Sequence, residues 1–372
     1  MLDIKKILSR SWHILWNYRM LWVFGFILAL TVAGGSSSGN YSSSSSSRTN
    51  NNTTPQYEWQ GLKGETPREK IADGLRQAGA GIEKLRDQYP IEFRMVIAVA
   101  VTVFVMLLIF GFIGAILRYV AETATIRMVN EYEQSGIKVG FRQGWRYGWS
   151  RVSWQLFLIN FVINLPVLVL FVFLGLIGWW IVTAALSGIQ TSLITNLIAG
   201  IGLAFISILV TVVLMVVLNV VRDFSWRISV LEGSGVMETI RQAFAMLRRN
   251  WKSVGLMWLV MIGIKIAWGL VFFLLIIPLL IVSVITAIGG LVVAVVPGLL
   301  TVGIASLLSA PDYWPWIFAG VISLPLFVSV AFSPVFLVRG WGLTYESSVW
   351  TLTYREIKTI ETVAPPVVIA AE

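Results

Sequence analysis

Of the 372 residues, 57% are hydrophobic and only 13% are charged, with a mean hydropathy of +0.79 and a formal net charge of +9. Soluble domains carry roughly 25% charged residues, so a water-soluble globular fold is excluded. The absence of cysteine removes disulfides, thiolate catalysis and Cys-type zinc sites, and the single histidine, His13, removes chemistry that needs a histidine pair. The apolar runs are apolar on every face, which suits membrane helices and not the alternating strands of a barrel. The expected fold class is all-α, a polytopic transmembrane helical bundle.

The chain opens on LDIKKILSRSWHILWNYR. Ile4, Ile7, Leu8, Ser11 and Leu15 share one helical face, with Lys6 and Arg10 opposite, the pattern of a helix lying in a membrane interface. A run from Met20 to Gly34 follows. It is short for a crossing at about 1.5 Å per residue, but it can borrow residues from Ile14 onward while Arg19 snorkels. A secretory signal peptide ending near Ala33-Gly34-Gly35 is the alternative reading. Residues 35–60 form a Ser/Asn/Gly tract that reads as a flexible linker. Its acceptor-type patterns at Asn40, Asn51 and Asn52 arise by chance in such a composition. Thr66-Pro67-Arg68-Glu69 then opens an amphipathic helix that ends at Tyr89-Pro90.

Further crossings are expected at 94–118, 154–184, 194–221 and 316–338. Between the last two lies an apolar stretch from Val254 to Ala310, interrupted by Pro278, Gly289-Gly290 and Pro297-Gly298. It is too long for one crossing, and a broken, partly re-entrant element is expected around 279–308. Cations gather on alternate flanks: Lys5, Lys6, Arg10 and Arg19; then Arg118 through Arg151; then Arg222 through Lys252; then Arg339, Arg355 and Lys358. Such flanks mark the cytoplasmic side. Both termini are therefore expected in the cytoplasm, with about six crossings; eight is the alternative.

Residues 133–145 read EQSGIKVGFRQGW, and residues 232–244 read EGSGVMETIRQAF. Glutamate, serine, glycine, Arg-Gln and an aromatic recur at a constant offset, each time just before an expected span. The N-terminal helix has the same character. The chain is therefore expected to hold three parallel units, each an interfacial basic helix followed by two crossings. These are 1–127, carrying the extracytoplasmic linker and amphipathic helix at 35–90, then 128–227 and 228–358. A flexible tail at 359–372 follows.

The segment RQAFAMLRRNWKSVG followed by apolar hairpins resembles the membrane domain found on some bacterial glycerophosphodiester phosphodiesterases and its stand-alone relatives. The segment RGWGLTYESSVWTLTYREIK resembles the closing segment of those relatives. The likeness covers most of the chain outside 35–90 and implies a bacterial membrane module. That family's enzymatic partner domain is a barrel using paired histidines and carboxylates. One histidine and no soluble stretch long enough for a barrel mean that the resemblance does not imply a phosphodiesterase.

Lys265 is the one charge inside an apolar run, about 16 Å deep if its span opens near Val254. An ionisable residue at that depth points by default to function. No carboxylate falls in an expected span, and Asn160 and Asn164 are expected at comparable depth to solvate the lysine. The three form a candidate midplane polar site for an anionic group; the bland alternative is a lysine held neutral or snorkelling. Arg142, Arg146, Arg241, Arg248, Arg249 and Lys252 are candidate contacts to anionic lipid headgroups, or simply set topology. Glu122, Glu131, Glu133 and Asp223 are expected to pair with nearby arginines and not to hold a metal. Trp12, Trp16, Trp22, Trp179, Trp180, Trp251, Trp314, Trp316, Trp341 and Trp350 read as an interfacial belt. Gly200, Gly202, Gly289 and Gly290 read as points of close helix approach.

No nucleophile–base arrangement is visible, so no enzyme, no cofactor and no nucleic-acid partner is expected. The expected partners are membrane lipids, anionic ones included, and membrane proteins or a second copy. The expected role is a non-catalytic scaffold or accessory subunit organising lipid or partner proteins in the cytoplasmic membrane. The alternative is a transporter or lipid-handling protein with a midplane site around Lys265.

Overall fold

Each helix begins and ends where local chemistry directs it. In α1 (Ile4–Asn17) the Asp3 carboxylate accepts from the Lys6 amide at 3.0 Å, capping the first turn. The chain then bends by 97° into α2 (Met20–Gly34). The bend is held by the Tyr18 hydroxyl, which donates to the Val139 carbonyl at 2.7 Å, and by the Trp22 indole N–H, which donates to the Leu15 carbonyl at 2.8 Å. α3 (Pro90–Ser135) starts on a proline, which loses no hydrogen bond there, and stops where Gly136 takes φ 70°. α4 (Phe141–Gly148) and α5 (Arg151–Leu186) follow, then α6 (Gln190–Glu232), which stops where Gly233 takes φ 71°. α7 (Val236–Arg249), α8 (Trp251–Leu307), α9 (Trp314–Ala331) and α10 (Ser333–Val363) complete the order.

The computed structural model describes residues 2–34, 90–186, 190–307 and 314–363. Among them are ten helices and no strand, an all-α polytopic bundle. The expected linker and amphipathic helix lie outside the described residues, apart from Pro90 at the start of α3. So does the tail beyond Val363; its first residues, 359–363, continue α10.

Among the described residues five helices are long and apolar enough to cross a membrane: Ala100–Ser135, Arg151–Thr183, Ile198–Glu232, Trp251–Leu307 and Trp314–Ala331. The bent pair Ile4–Asn17 and Met20–Val32 makes a sixth if counted as one span. The break expected around 279–308 is absent. α8 runs for 57 residues straight through Pro278 and Pro297. At about 1.5 Å per residue that is roughly 85 Å, twice a bilayer with its headgroups. α9 runs antiparallel along its distal half and supports it. Thr286 donates to the Ala331 carbonyl at 2.6 Å, Gly290 leaves room for Phe327, and Gly298 leaves room for Ser323.

The described chain forms two units. One comprises 1–36, 102–163 and 217–372; the other comprises 37–101 and 164–216. In the second unit the notable contact is Gly200, whose missing side chain admits Ile181. The first unit holds the core. Its centre is made by the C-terminal ends of α3 and α6 and by α10, which carry buried Ala121, Ala124, Met128, Phe224, Ile228 and Val349. Around them pack α1, α2, α4, α7 and the first turns of α5 and α8, through Ile14, Phe24, Ala243, Leu156 and Met257. The central segments are rich in hydroxyls. Thr125, Ser225, Ser348, Thr351 and Thr353 are buried, and each donates to the carbonyl four residues earlier. Self-satisfied small polar residues allow close helix packing without an orphaned donor.

Several sequence expectations shift here. Trp350, read as part of the belt, is buried and meets Phe224 edge-on at 5.8 Å. Of the glycines expected at close approaches, Gly200 and Gly290 face a neighbour, while Gly202 and Gly289 face open space. In the repeated phrase, Gly136 and Gly235 were matched, but Gly235 is the N-cap of α7 with φ −65°, and Gly233 makes the left-handed turn. The Arg-Gln pair consequently falls at the second residue of α4 and the sixth of α7.

The tightest crossing joins α2 to α10. A Cβ on Gly340 would lie 2.6 Å from the carbonyl carbon and oxygen of Gly25. Gly340→Ala should therefore lower the thermal midpoint of the purified protein, by the equivalent of about 1–3 kcal/mol of overpacking. Gly111→Ala, at a position with nothing within 4 Å, should not lower it. Equal midpoints for both variants would refute the crossing.

Candidate functional site

The most concentrated chemistry lies at the centre of the first unit. Arg227 on α6 is 2% exposed. A guanidinium there is tolerable only if its charge is met; its two terminal nitrogens have partners, while its Nε has no hydrogen-bond partner. It lies 3.7 Å from the Glu122 carboxylate on α3 and 3.6 Å from Asp223 one turn back on its own helix. It also donates to the Asp223 carbonyl at 2.7 Å and to the Ser347 carbonyl of α10 at 3.4 Å. The Ser347 hydroxyl donates to Glu122 at 2.9 Å, closing the circuit. Three helices are thus tied by one cation and two anions. Beside them Arg222 lies over the Trp226 ring at 5.1 Å, and Trp226 meets Tyr119 edge-on at 6.2 Å.

The residue before Ser347 extends this layer outward. Glu346 pairs with Lys265 of α8 at 2.6 Å. The Lys265 side chain is 53% exposed, so the pair sits on the perimeter of its unit. The expectation that Lys265 lacks a counter-ion is overturned. Glu346 falls beyond the last expected span, but α10 runs back antiparallel to α8 and brings 346 level with 265. Asn160, expected beside the lysine, bonds with Tyr119. Asn164 belongs to the second unit.

A second tier of pairs fastens helix ends. Glu133 near the end of α3 meets Arg10 of α1 at 2.9 Å. Glu232, ending α6, accepts from Tyr354 and from Lys358 at 2.6 Å, both on α10. Glu361 of α10 meets Arg249 of α7 and accepts from Asn250 at 2.6 Å. Burial, and then the Glu232 carboxylate, push the Tyr354 hydroxyl well above its ordinary range, so it remains a donor. Arg355 donates to Asn130 on α3 at 3.0 Å.

Two shallow grooves open on basic helix faces. One is lined by Arg241, Phe244, Ala245, Arg248 and Arg249 on α7, the other by Lys6, Ser9, Arg10 and His13 on α1. Arg142 and Arg146 are exposed on α4, and Lys252 lies over the Trp251 ring at 5.8 Å. Glu122 and Asp223 pair with an arginine, as their sequence neighbourhood implied. Among the described residues no three metal-binding groups converge. Sequence reasoning did not single out Arg227, Glu346 or Ser347. The available signal was the four-residue spacing of Asp223 and Arg227; Glu346 stands among Thr344, Tyr345, Ser347 and Ser348, which gave none.

The chain belongs to the family of unknown function DUF7544. That family's model matches residues 3–347, a span that includes every member of the ionic layer. No curated protein and no solved structure matches the chain.

Removing one partner of a buried pair strands the other charge at a cost of about 3–5 kcal/mol. Arg227→Met should therefore sharply lower the thermal midpoint in detergent, and adding Glu122→Gln should recover part of the loss. Independent, additive losses would show that the two residues are not coupled.

Proposed function

We propose that this chain is a non-catalytic module of the cytoplasmic membrane that organises lipid or partner proteins. The observation that carries this reading is the ionic layer. Glu122, Asp223, Arg227, Lys265 and Glu346 are one another's partners across four helices. A catalytic group must be free to attack or to exchange a proton at a substrate, and these groups are engaged in joining helices. Many exposed positions of the long helices are apolar, and α1 and α7 present basic grooves, the surface of a module that meets lipid and other membrane proteins.

The same reading has both termini in the cytoplasm. Arg19, Arg142, Arg146, Arg151, Arg241 and Arg248 on the flanks support it through the bias of cations to that side. It also has three repeated units. In support, α1, α4 and α7 are short helices that each precede a more apolar one, and α3, α6 and α10 each carry a glutamate near the C-terminal end paired to a cation. The resemblance to the membrane domain of bacterial glycerophosphodiester phosphodiesterases fits a module of this kind. Solubilisation in a mild detergent, followed by mass spectrometry of what co-purifies, should recover a stoichiometric membrane protein or a defined set of lipids. A chain recovered alone and stripped of lipid would overturn the proposal.

A second reading, a lipid-handling or transport protein, is favoured by the Lys265–Glu346 pair, a half-exposed ion pair on an otherwise apolar helix face. Charges in such positions mark substrate routes. On this reading, reconstituted protein moves headgroup-labelled phosphatidylglycerol between vesicle leaflets, and Lys265→Ala abolishes the movement. Unchanged movement in that variant removes the reading.

A further inference from the structure

The outer face of α7 has a composition that neither water nor the protein interior explains. Its inner face is settled: Thr239, Ala243 and Met246 are buried against the rest of the unit. The opposite face carries Met237, 72% exposed, and Phe244, 54% exposed, seven residues apart, with Trp251, 65% exposed, seven further on at the start of α8. Seven residues is two helical turns, so Met237 and Phe244 form one straight apolar seam. Arg241 and Arg248, also seven apart, run directly beside it and line the groove with Phe244 and Ala245. Arg249 is held by Glu361, and Glu238 accepts from Gln242 at 3.2 Å. Among the described residues, Arg241 and Arg248 have no carboxylate partner.

We infer that this face is a binding site for an anionic phospholipid. The two arginines would take the headgroup phosphate, and Met237, Phe244 and Trp251 would insert among the acyl chains. The inference rests on the reading of the chain as a lipid-organising membrane module. A guanidinium donates in parallel to two oxygens of a phosphate, and an aromatic seam beside it places that phosphate at the headgroup level of a bilayer. A free phosphate would satisfy the arginines and leave three large apolar side chains in water. An acidic protein would do the same unless it also carried an apolar ridge of matching spacing. Phospholipid supplies both halves of the surface at once. Lys252, over the Trp251 ring, adds a third cation at the same level.

The test uses the full chain in a neutral detergent, supplied with equal amounts of phosphatidylglycerol and phosphatidylcholine. Retained lipid is counted by native mass spectrometry. The wild type should retain phosphatidylglycerol preferentially. Arg241→Gln and Arg248→Gln should each cut that preference about five-fold, Arg241→Lys should cut it less, because it keeps the charge and loses the paired donors, and Phe244→Ser should reduce retention of both lipids. Excess inorganic phosphate should displace the lipid only weakly. A wild type without preference, a double glutamine variant that keeps it, or full displacement by inorganic phosphate would each overturn the site. If any of these occurs while partners still co-purify, the site falls alone; if the chain also emerges without partner or lipid, the proposed function falls with it.

Discussion

Arg227 is the constraint around which the first unit is arranged. A buried guanidinium costs several kcal/mol to strip of water, and the cost is offset only where anions and carbonyls surround it. Those groups come from three helices far apart in sequence: Glu122 from α3, Asp223 from α6 itself and Ser347 from α10. Once they converge, the C-terminal ends of α3 and α6 and the middle of α10 have little freedom to slide. Apolar packing alone does not provide this. In a membrane, one leucine-rich face meets another in many registers at nearly equal free energy, because lipid tails are as apolar as leucine.

The architecture around Arg227 follows from it. In the first unit the central helix segments carry buried hydroxyls among their apolar side chains, and the amphipathic α1, α4 and α7 pack around them with the apolar α2. Serine and threonine serve at the centre because they are small and return their hydroxyls to their own backbone. Glycine serves where two backbones must touch, at Gly25 and Gly340. Terminal glutamates Glu133, Glu232 and Glu361 then fasten the helix ends, each to a cation on a different helix. Lys265 belongs to this scheme more than its sequence position implies, because it is reached by Glu346, the residue before Ser347.

Much of this was legible beforehand. Runs such as VLVLFVFLGLIGWWIV announce helices of membrane-crossing length, and the spacing put Ile7, Ser11 and Leu15 on one face of α1, although that face was expected to lie in a membrane interface and is buried in the protein. The ion pairing of Glu122 and Asp223 was also anticipated, because both stand among arginines. The unbroken course of α8 was not. Pro278 and Pro297 each remove a backbone donor and argue for a break; α8 runs through both, and the stretch holding Pro297 has α9 packed along it, which no local rule reports. The repeated phrase misled in register, since identical letters occupy different helical positions when one loop is two residues longer than the other.

By itself the sequence determined that the chain is helical, that its helices are of membrane scale, and that its cations cluster on the flanks of the apolar runs. Those properties depend on composition and on periods of a few residues, which are local quantities. Only the tertiary structure decided which charge meets which, that Trp350 turns inward, and that Lys265 has a carboxylate partner. Such facts depend on the relative register of helices separated by tens to hundreds of residues, and in a chain this apolar the periodicity of one helix carries almost no record of the neighbour it will meet.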